Sequence, residues 1–222
     1  MHLTYLAMLV SVSLSALLAA PAAASPDAGH AKSERARVES YLESHDVSSA
    51  AEVRGVSPSP DKTLIAIASD EHAERLIRSR AVAALRFLPS SDVQEFLTKL
   101  IQDKATATDP TDRLILRRAA IAVGWMAGAD APDLLATLFA NEDVEVRVDA
   151  VLGISMSRAG TATGTLRKQL AVESAPRVRQ QIERQLVALE APNSQTNQAP
   201  APEKAATSKK KQPSREPMRG GF

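Results

Sequence analysis

The densest group of ionisable side chains is Glu142, Asp143, Glu145 and Asp149. Two carboxyl groups can share general acid and general base work when their surroundings push their pKa values apart, which needs a buried pocket. These four stand where a helix begins. Acidic groups there are favoured by the positive end of the helix dipole, so their placement points to a structural role. A second group is basic, with Arg113, Arg117 and Arg118 on one helix. Guanidinium groups so spaced face water, pair with acids of a neighbouring helix, or recognise an anion or a partner protein. Among His2, His30, His45 and His72 no pair has the i, i+4 spacing that sets two imidazoles on one helical face for a metal ion. The chain has no cysteine, which excludes disulfides, thiol nucleophiles, thiolate metal sites and a lipidated N-terminal cysteine. Glycine patterns for serine nucleophiles, dinucleotides and phosphate loops are missing, and Gly153-Ile154-Ser155 lies inside a helical pattern where no nucleophile elbow forms. No catalytic residue, cofactor or metal ligand is assigned, and a non-enzymatic protein is expected.

Trp125 is the only tryptophan, and Phe87, Phe96 and Phe139 fall near helix ends or on apolar faces. Helix-spaced aromatics ordinarily fill a core, so burial is expected for all four. An exposed Trp125 would instead be a binding anchor, because tryptophan is over-represented among interface hot spots.

The elements that would position these groups are helical. Aromatics are only 3% of the 222 residues while Ala and Leu abound, a composition that favours helix over strand. The length and the 44% hydrophobic share allow one domain-sized core. Both ends differ from the middle. The apolar run Leu3–Ala20 is followed by Pro21-Ala22-Ala23-Ala24-Ser25, which reads as a secretory signal peptide over 1–24 with an A-x-A cleavage site after Ala24. The competing reading is an uncleaved anchor, since a spanning helix needs about 20 apolar residues. Cleavage implies a periplasmic or secreted protein. At the other end, 191–222 is rich in Pro, Ala, Gln, Ser and Lys and cannot repay its ordering entropy, so a disordered tail is expected. From Pro192 onward six Lys and Arg face two Glu, which makes the tail +4 and leaves 25–191 at −3 of the total +1. Lys209, Lys210 and Lys211 serve either as a solubilising tail or as an electrostatic handle for an anionic polymer or membrane surface. Without interleaved aromatics there is no platform for stacking bases, so no specific nucleic-acid role is expected.

Between these ends, 25–59 reads as a flexible lead with one short helix capped by Ser33, and 60–190 as continuous helical pattern. Start signals recur: Ser91 with Gln94 as a capping box, Asp109 before Pro110, and Asp130 with Pro132 and Asp133. Aligning Arg78, Leu116, Arg147 and Arg179 gives Ala81, Ala119, Ala150 and Ile182 three positions on, and Leu85, Val123, Ile154 and Leu186 seven positions on. The repeats are then 38, 31 and 32 residues long, and the polar linker from Lys104 to Pro110 accounts for the longest. A second helix follows each first one, marked by Val93, Phe96, Leu97 and Leu100, then Leu134, Leu135, Leu138 and Phe139, then Leu166 and Leu170. Each unit is a helical hairpin, and hairpins bury their apolar faces by stacking.

The run Asn141-Glu142-Asp143-Val144-Glu145-Val146-Arg147-Val148-Asp149-Ala150-Val151-Leu152-Gly153-Ile154 resembles the HEAT family, in particular the short bacterial HEAT-like repeats also found in phycobilisome lyases. Pro176-Arg177-Val178-Arg179 repeats its opening, whereas Leu116 stands where the other units place arginine. The resemblance spans roughly Pro60 to Leu189 and implies a short α-solenoid. A partial unit, Asp61–Ser69, would precede three hairpins, and a final helix around Val178–Leu189 would cap them, its Gln180, Gln181, Glu183, Arg184 and Gln185 facing water. The expected function is an exported, monomeric module or scaffold that binds another protein, with Arg113, Arg117, Arg118 and the three tail lysines as partner-binding residues. The lyase likeness implies a second option, an enzyme or chaperone handling a small molecule. A third is an envelope tether acting through the tail.

Overall fold

The computed structural model describes residues 26–44, 47–126 and 128–191. The expected signal peptide and the tail with Lys209, Lys210 and Lys211 lie outside the described residues. All regular structure among the described residues is helical: α1 (Pro26–Ser44), α2 (Ala50–Val56), α3 (Pro60–Ser69), α4 (Arg75–Leu85), α5 (Ser91–Lys104), α6 (Pro110–Met126), α7 (Ala131–Ala136), α8 (Val144–Ser157), α9 (Ala162–Val172) and α10 (Pro176–Glu190). A 3-10 turn, Thr137–Ala140, extends α7. None of these helices is long and apolar enough to cross a membrane.

Local chemistry sets the boundaries. The Asp109 carboxylate accepts from the N–H groups of Thr111 and Asp112, and Asp143 accepts from those of Glu145 and Val146, so each acid satisfies donors that a helix start leaves open. The cap of α5 is Ser90, which accepts from the Val93 N–H, one residue before the expected Ser91. The lead over 25–59 also departs from expectation. Its helix starts at Pro26 rather than after Ser33, and a second helix, α2, follows, capped by Ser49. Proline suits a first turn because the N–H it lacks would be unpaired there. Bonds from the Ser48 side chain, the Ser48 N–H and Tyr41 Oη hold the Glu52 carboxyl down at about 2 and tie α2 to α1. Glu34 of α1 accepts from Ser57, Thr63 and the Ser59 N–H, and Arg35 pairs with Asp70, so α1 grips both ends of α3.

Helices α4, α6 and α8 lie side by side, while α3, α5, α7 and α9 make lighter contacts behind them. The close pairs are α3 with α4, α5 with α6, and α7 with α8. This shifts the phase expected from the sequence: α3 belongs to a full pair with α4, whereas α4 and α5 are chain neighbours that scarcely touch. The core runs through both rows, with Leu64, Leu85, Ile101, Leu116, Leu135, Ile154, Leu166 and Ile182 fully buried. On α10, Gln180, Glu183 and Arg184 face water as expected. Gln181 is buried, and Gln185 accepts from Ser155 Oγ at 2.7 Å, so this helix packs a polar side against α8.

At one crossing the packing leaves no room for side chains. A Cβ on Gly124 of α6 would lie 2.3 Å from the Gly153 carbonyl oxygen of α8, and one on Gly153 would lie 2.4 Å from the Ala120 carbonyl oxygen. Glycine at both positions lets the backbones meet and gives α6 and α8 the most extensive contact in the fold.

Candidate functional site

Four arginines occupy one structural position. The backbone N–H groups of Arg78, Arg113, Arg147 and Arg179 each bond the carbonyl four residues back, at Glu74, Asp109, Asp143 and Ala175, where their helices begin. Each side chain then turns to backbone carbonyls of the preceding segment: Arg78 Nε to Ala68, Arg113 Nε to Ala107, Arg147 Nη1 to Asn141 and Glu142, and Arg179 Nη1 to Leu170 and Glu173. A cation there satisfies carbonyls that a helix C-terminus or turn leaves open. The equivalent residue in α6 is therefore Arg113, and Leu116, three positions on, is core. The sequence alignment on Leu116 is corrected, and the true spacings are 35, 34 and 32 residues.

The basic group Arg113, Arg117 and Arg118 is divided by the fold. Arg113 lies 3.6 Å from Asp143, and Arg117 Nε bonds Asp149 at 2.7 Å with Glu145 at 3.8 Å. Glu145 also pairs with Arg177 at 2.9 Å, so Asp143, Glu145 and Asp149 join α6, α8 and α10, while Glu142 is exposed. Burial pushes the Asp149 carboxyl above its ordinary range despite the Arg117 bond. Arg118 is exposed, and its charge acts on Asp149 from beyond ion-pair distance.

Its direction follows from helical periodicity. Ile115, Leu116, Ala119, Ala120 and Val123 of α6 are buried, so Leu114, Arg118, Ile121 and Trp125, at i, i+4, i+7 and i+11, form the outward stripe. Trp125 is 55% exposed, which corrects the expectation of a core residue. It meets Phe87 edge to face, with ring centroids 6.1 Å apart and planes at 68°. The Arg86 guanidinium lies 4.6 Å from the Phe87 centroid and 5.6 Å from that of Trp125, a cation over two aromatic faces. Trp125, Phe87 and Arg86 thus form an aromatic and cationic cluster where the end of α4 meets α6. Arg86 and Phe87 were not singled out as functional in the sequence, because their neighbourhood with Trp125 arises only when the two helices are laid side by side.

A cleft of about 560 Å³ opens elsewhere, between α5 and α7. Val123, Met126 and Leu134 floor it, and Gln94, Thr98, Gln102, Asp130 and Asp133 rim it. Its two carboxylates are exposed and it contains no histidine, so it lacks the convergent buried groups of a reaction site. Among the described residues no three His, Asp or Glu side chains are placed to hold a metal ion. His72, exposed, lies at the α3–α4 turn, where its N–H bonds Asp70.

No protein-family model, curated protein or solved structure matches the chain.

Proposed function

We propose that the protein is an exported HEAT-like helical solenoid that binds another protein through the face where the end of α4 meets α6. The observation that carries this reading is the exposure of Trp125, which has the Phe87 ring at its edge and the Arg86 guanidinium over its face rather than being folded into the core. An exposed tryptophan packed beside an arginine has the composition of an interface anchor. The repeated arginine position and the two rows of helices support the solenoid reading, in which successive hairpins build one extended surface. The apolar run before Ser25 supports export.

Affinity capture of the full chain from the envelope of its source cells, beside Trp125→Ala, tests the binding face. A stoichiometric protein retained by the unaltered chain and lost with Trp125→Ala is expected, with circular dichroism unchanged between the two. Equal recovery by Trp125→Ala and by Arg118→Glu would place binding elsewhere. Export is tested by sequencing the N-terminus of the accumulated protein. Ser25 is expected first, and an intact Met1 in the membrane fraction would favour the anchor.

A further inference from the structure

We infer that the cleft between α5 and α7 binds a small organic cation, an amine carried on an apolar body, with the body on Val123, Met126 and Leu134 and the amine at the carboxylates of Asp130 and Asp133. This site stands or falls independently of the Trp125 face. A cleft of about 560 Å³ is the size that takes a single small molecule, whereas a helical segment of a partner needs a long groove. Its walls are chemically sorted. On α5, Gln94, Thr98 and Gln102 stand at i, i+4 and i+8, a line about 12 Å long that offers amide and hydroxyl groups without charge. The only charges on the rim are acidic. A helix start favours acids on its own account, yet the Asp130 side chain makes no capping bond, and neither it nor Asp133 is in an ion pair among the described residues. No lysine or arginine lines the cleft, and both lysines of α5 are engaged elsewhere, Lys99 with Asp103 at 2.9 Å and Lys104 with Asp112 at 2.7 Å. Residues 25–191 together carry −3, so the field of the body adds to the two acids. An anion would meet like charge there and find no cation, and a neutral molecule would leave the acids unused. Charge complementarity over an apolar floor therefore selects the amine.

Three probes that share one body and differ in charge test this on the full chain: phenylbutylamine, phenylbutanol and phenylbutanoate. Each is followed through the methyl resonance of Met126, which a phenyl ring shifts when it reaches the floor of the cleft. The amine is expected to bind most tightly, at a dissociation constant of about a millimolar for so small a molecule, and to weaken as salt is added. Both carboxylates are exposed, so the pair together should be worth about tenfold, lost in the double change Asp130→Asn with Asp133→Asn. Asparagine suits a helix start, which keeps α7 in place. With Asp130→Lys and Asp133→Lys the order should reverse in favour of phenylbutanoate, a gain that an unfolded cleft cannot produce. No shift with the amine, equal binding of amine and alcohol, or a stronger response to phenylbutanoate overturns the inference. Binding of a Lys/Leu helical peptide of about 18 residues without any response to the amine overturns it too and gives the cleft to a protein partner. Capture of a protein through Trp125 depends on none of these results, so failure of either site is read separately.

Discussion

Helix α8 meets α6 on one side and α10 on the other, and the two joints differ in what holds them. Against α6 the crossing is backbone on backbone, with Gly124, Gly153 and Ala120 removing side chains from it, and the pairs of Arg113 with Asp143 and Arg117 with Asp149 lie towards the start of α8. Against α10 and the turn before it, polar groups do the joining. Arg147 Nε and Nη2 donate side by side to the two Glu173 carboxylate oxygens, each at 3.2 Å, Ser155 bonds Gln185, and Glu145 pairs with Arg177. A joint made by close approach is specified by volume and is indifferent to salt, while a joint made by placed charges tolerates space but depends on ionisation. The α6–α8 joint therefore has a steric lock besides its ion pairs, whereas polar groups alone make the bonds of the α8–α10 joint.

Adding one methyl group tests the first joint most severely. Gly124→Ala places a Cβ against the Gly153 backbone, which cannot rotate aside, so the helices must separate. A loss of about 3 kcal/mol or more is expected, read as a fall in the thermal or urea midpoint. Gly55→Ala is the control: it lies in α2, its Cβ would meet nothing within 4 Å, and it should stabilise by about 0.5–1 kcal/mol. Equal effects at the two glycines would show that the α6–α8 crossing opens freely and would abolish the contrast.

Glu173→Ala probes the second joint and is expected to cost about 2–3 kcal/mol. It removes the acceptor of the Ala175 N–H and strips the acid from Arg147, whose side chain is only 12% exposed. Most of that cost is the stranded guanidinium. Arg147→Met combined with Glu173→Ala should accordingly be less destabilised than the sum of the single changes, measured as a double-mutant cycle. Strict additivity would mean that the two groups contribute separately and that the joint is not held by their charges.

The same contrast explains what was legible in the sequence. Helix content, capping acids such as Asp109 and Asp143, and the repeated apolar faces follow from local spacing, and the structure bears them out. The error at Leu116 was hidden because three residues are nearly one helical turn. Beginning the column at Leu116 rather than Arg113 leaves Ala119, Val123 and their equivalents on buried faces either way. Arginine bonding to carbonyls of the previous turn fixes the position, and those bonds are not visible in a pattern of apolar residues. Hairpin phase was equally hidden, since periodicity marks which side of a helix is buried but not which neighbour buries it. Helix spacing puts an aromatic such as Trp125 in a core by default, yet a step of one or two residues from the buried Gly124 and Val123 carries its side chain to another face.

Arg177→Ala should be the mildest of the substitutions. Its pair with Glu145 is 2.9 Å long, but the arginine side chain is 65% exposed, so solvent and side-chain entropy take back most of the attraction. A loss of about 0.3 kcal/mol is expected, vanishing in high salt. A loss as large as that of Glu173→Ala would mean that the exposed edge, rather than Arg147 and Glu173, carries the α8–α10 joint.

Acid should separate the two joints without substitution. Burial alone would raise the Glu173 carboxyl, but bonds from the Ala175 N–H, Gln169 and Arg147 outweigh it and hold the group below its ordinary 4.5. A carboxyl depressed by folding contributes stability that is present above 4.5 and is lost as the pH falls through its lower folded value. Asp149, beside α6, runs the other way, since burial raises it above its ordinary 3.8, the folded state takes up its proton first, and acidification relieves a cost there. Hydrogen exchange, corrected for the intrinsic effect of pH, should show α9 and α10 losing protection as the pH drops below about 4.5. The amides of α6 and α8 near Gly124 and Gly153 should stay protected over the same range, because nothing at that crossing titrates. Uniform loss of protection across all four helices would show that the charged joint and the steric joint open as one unit.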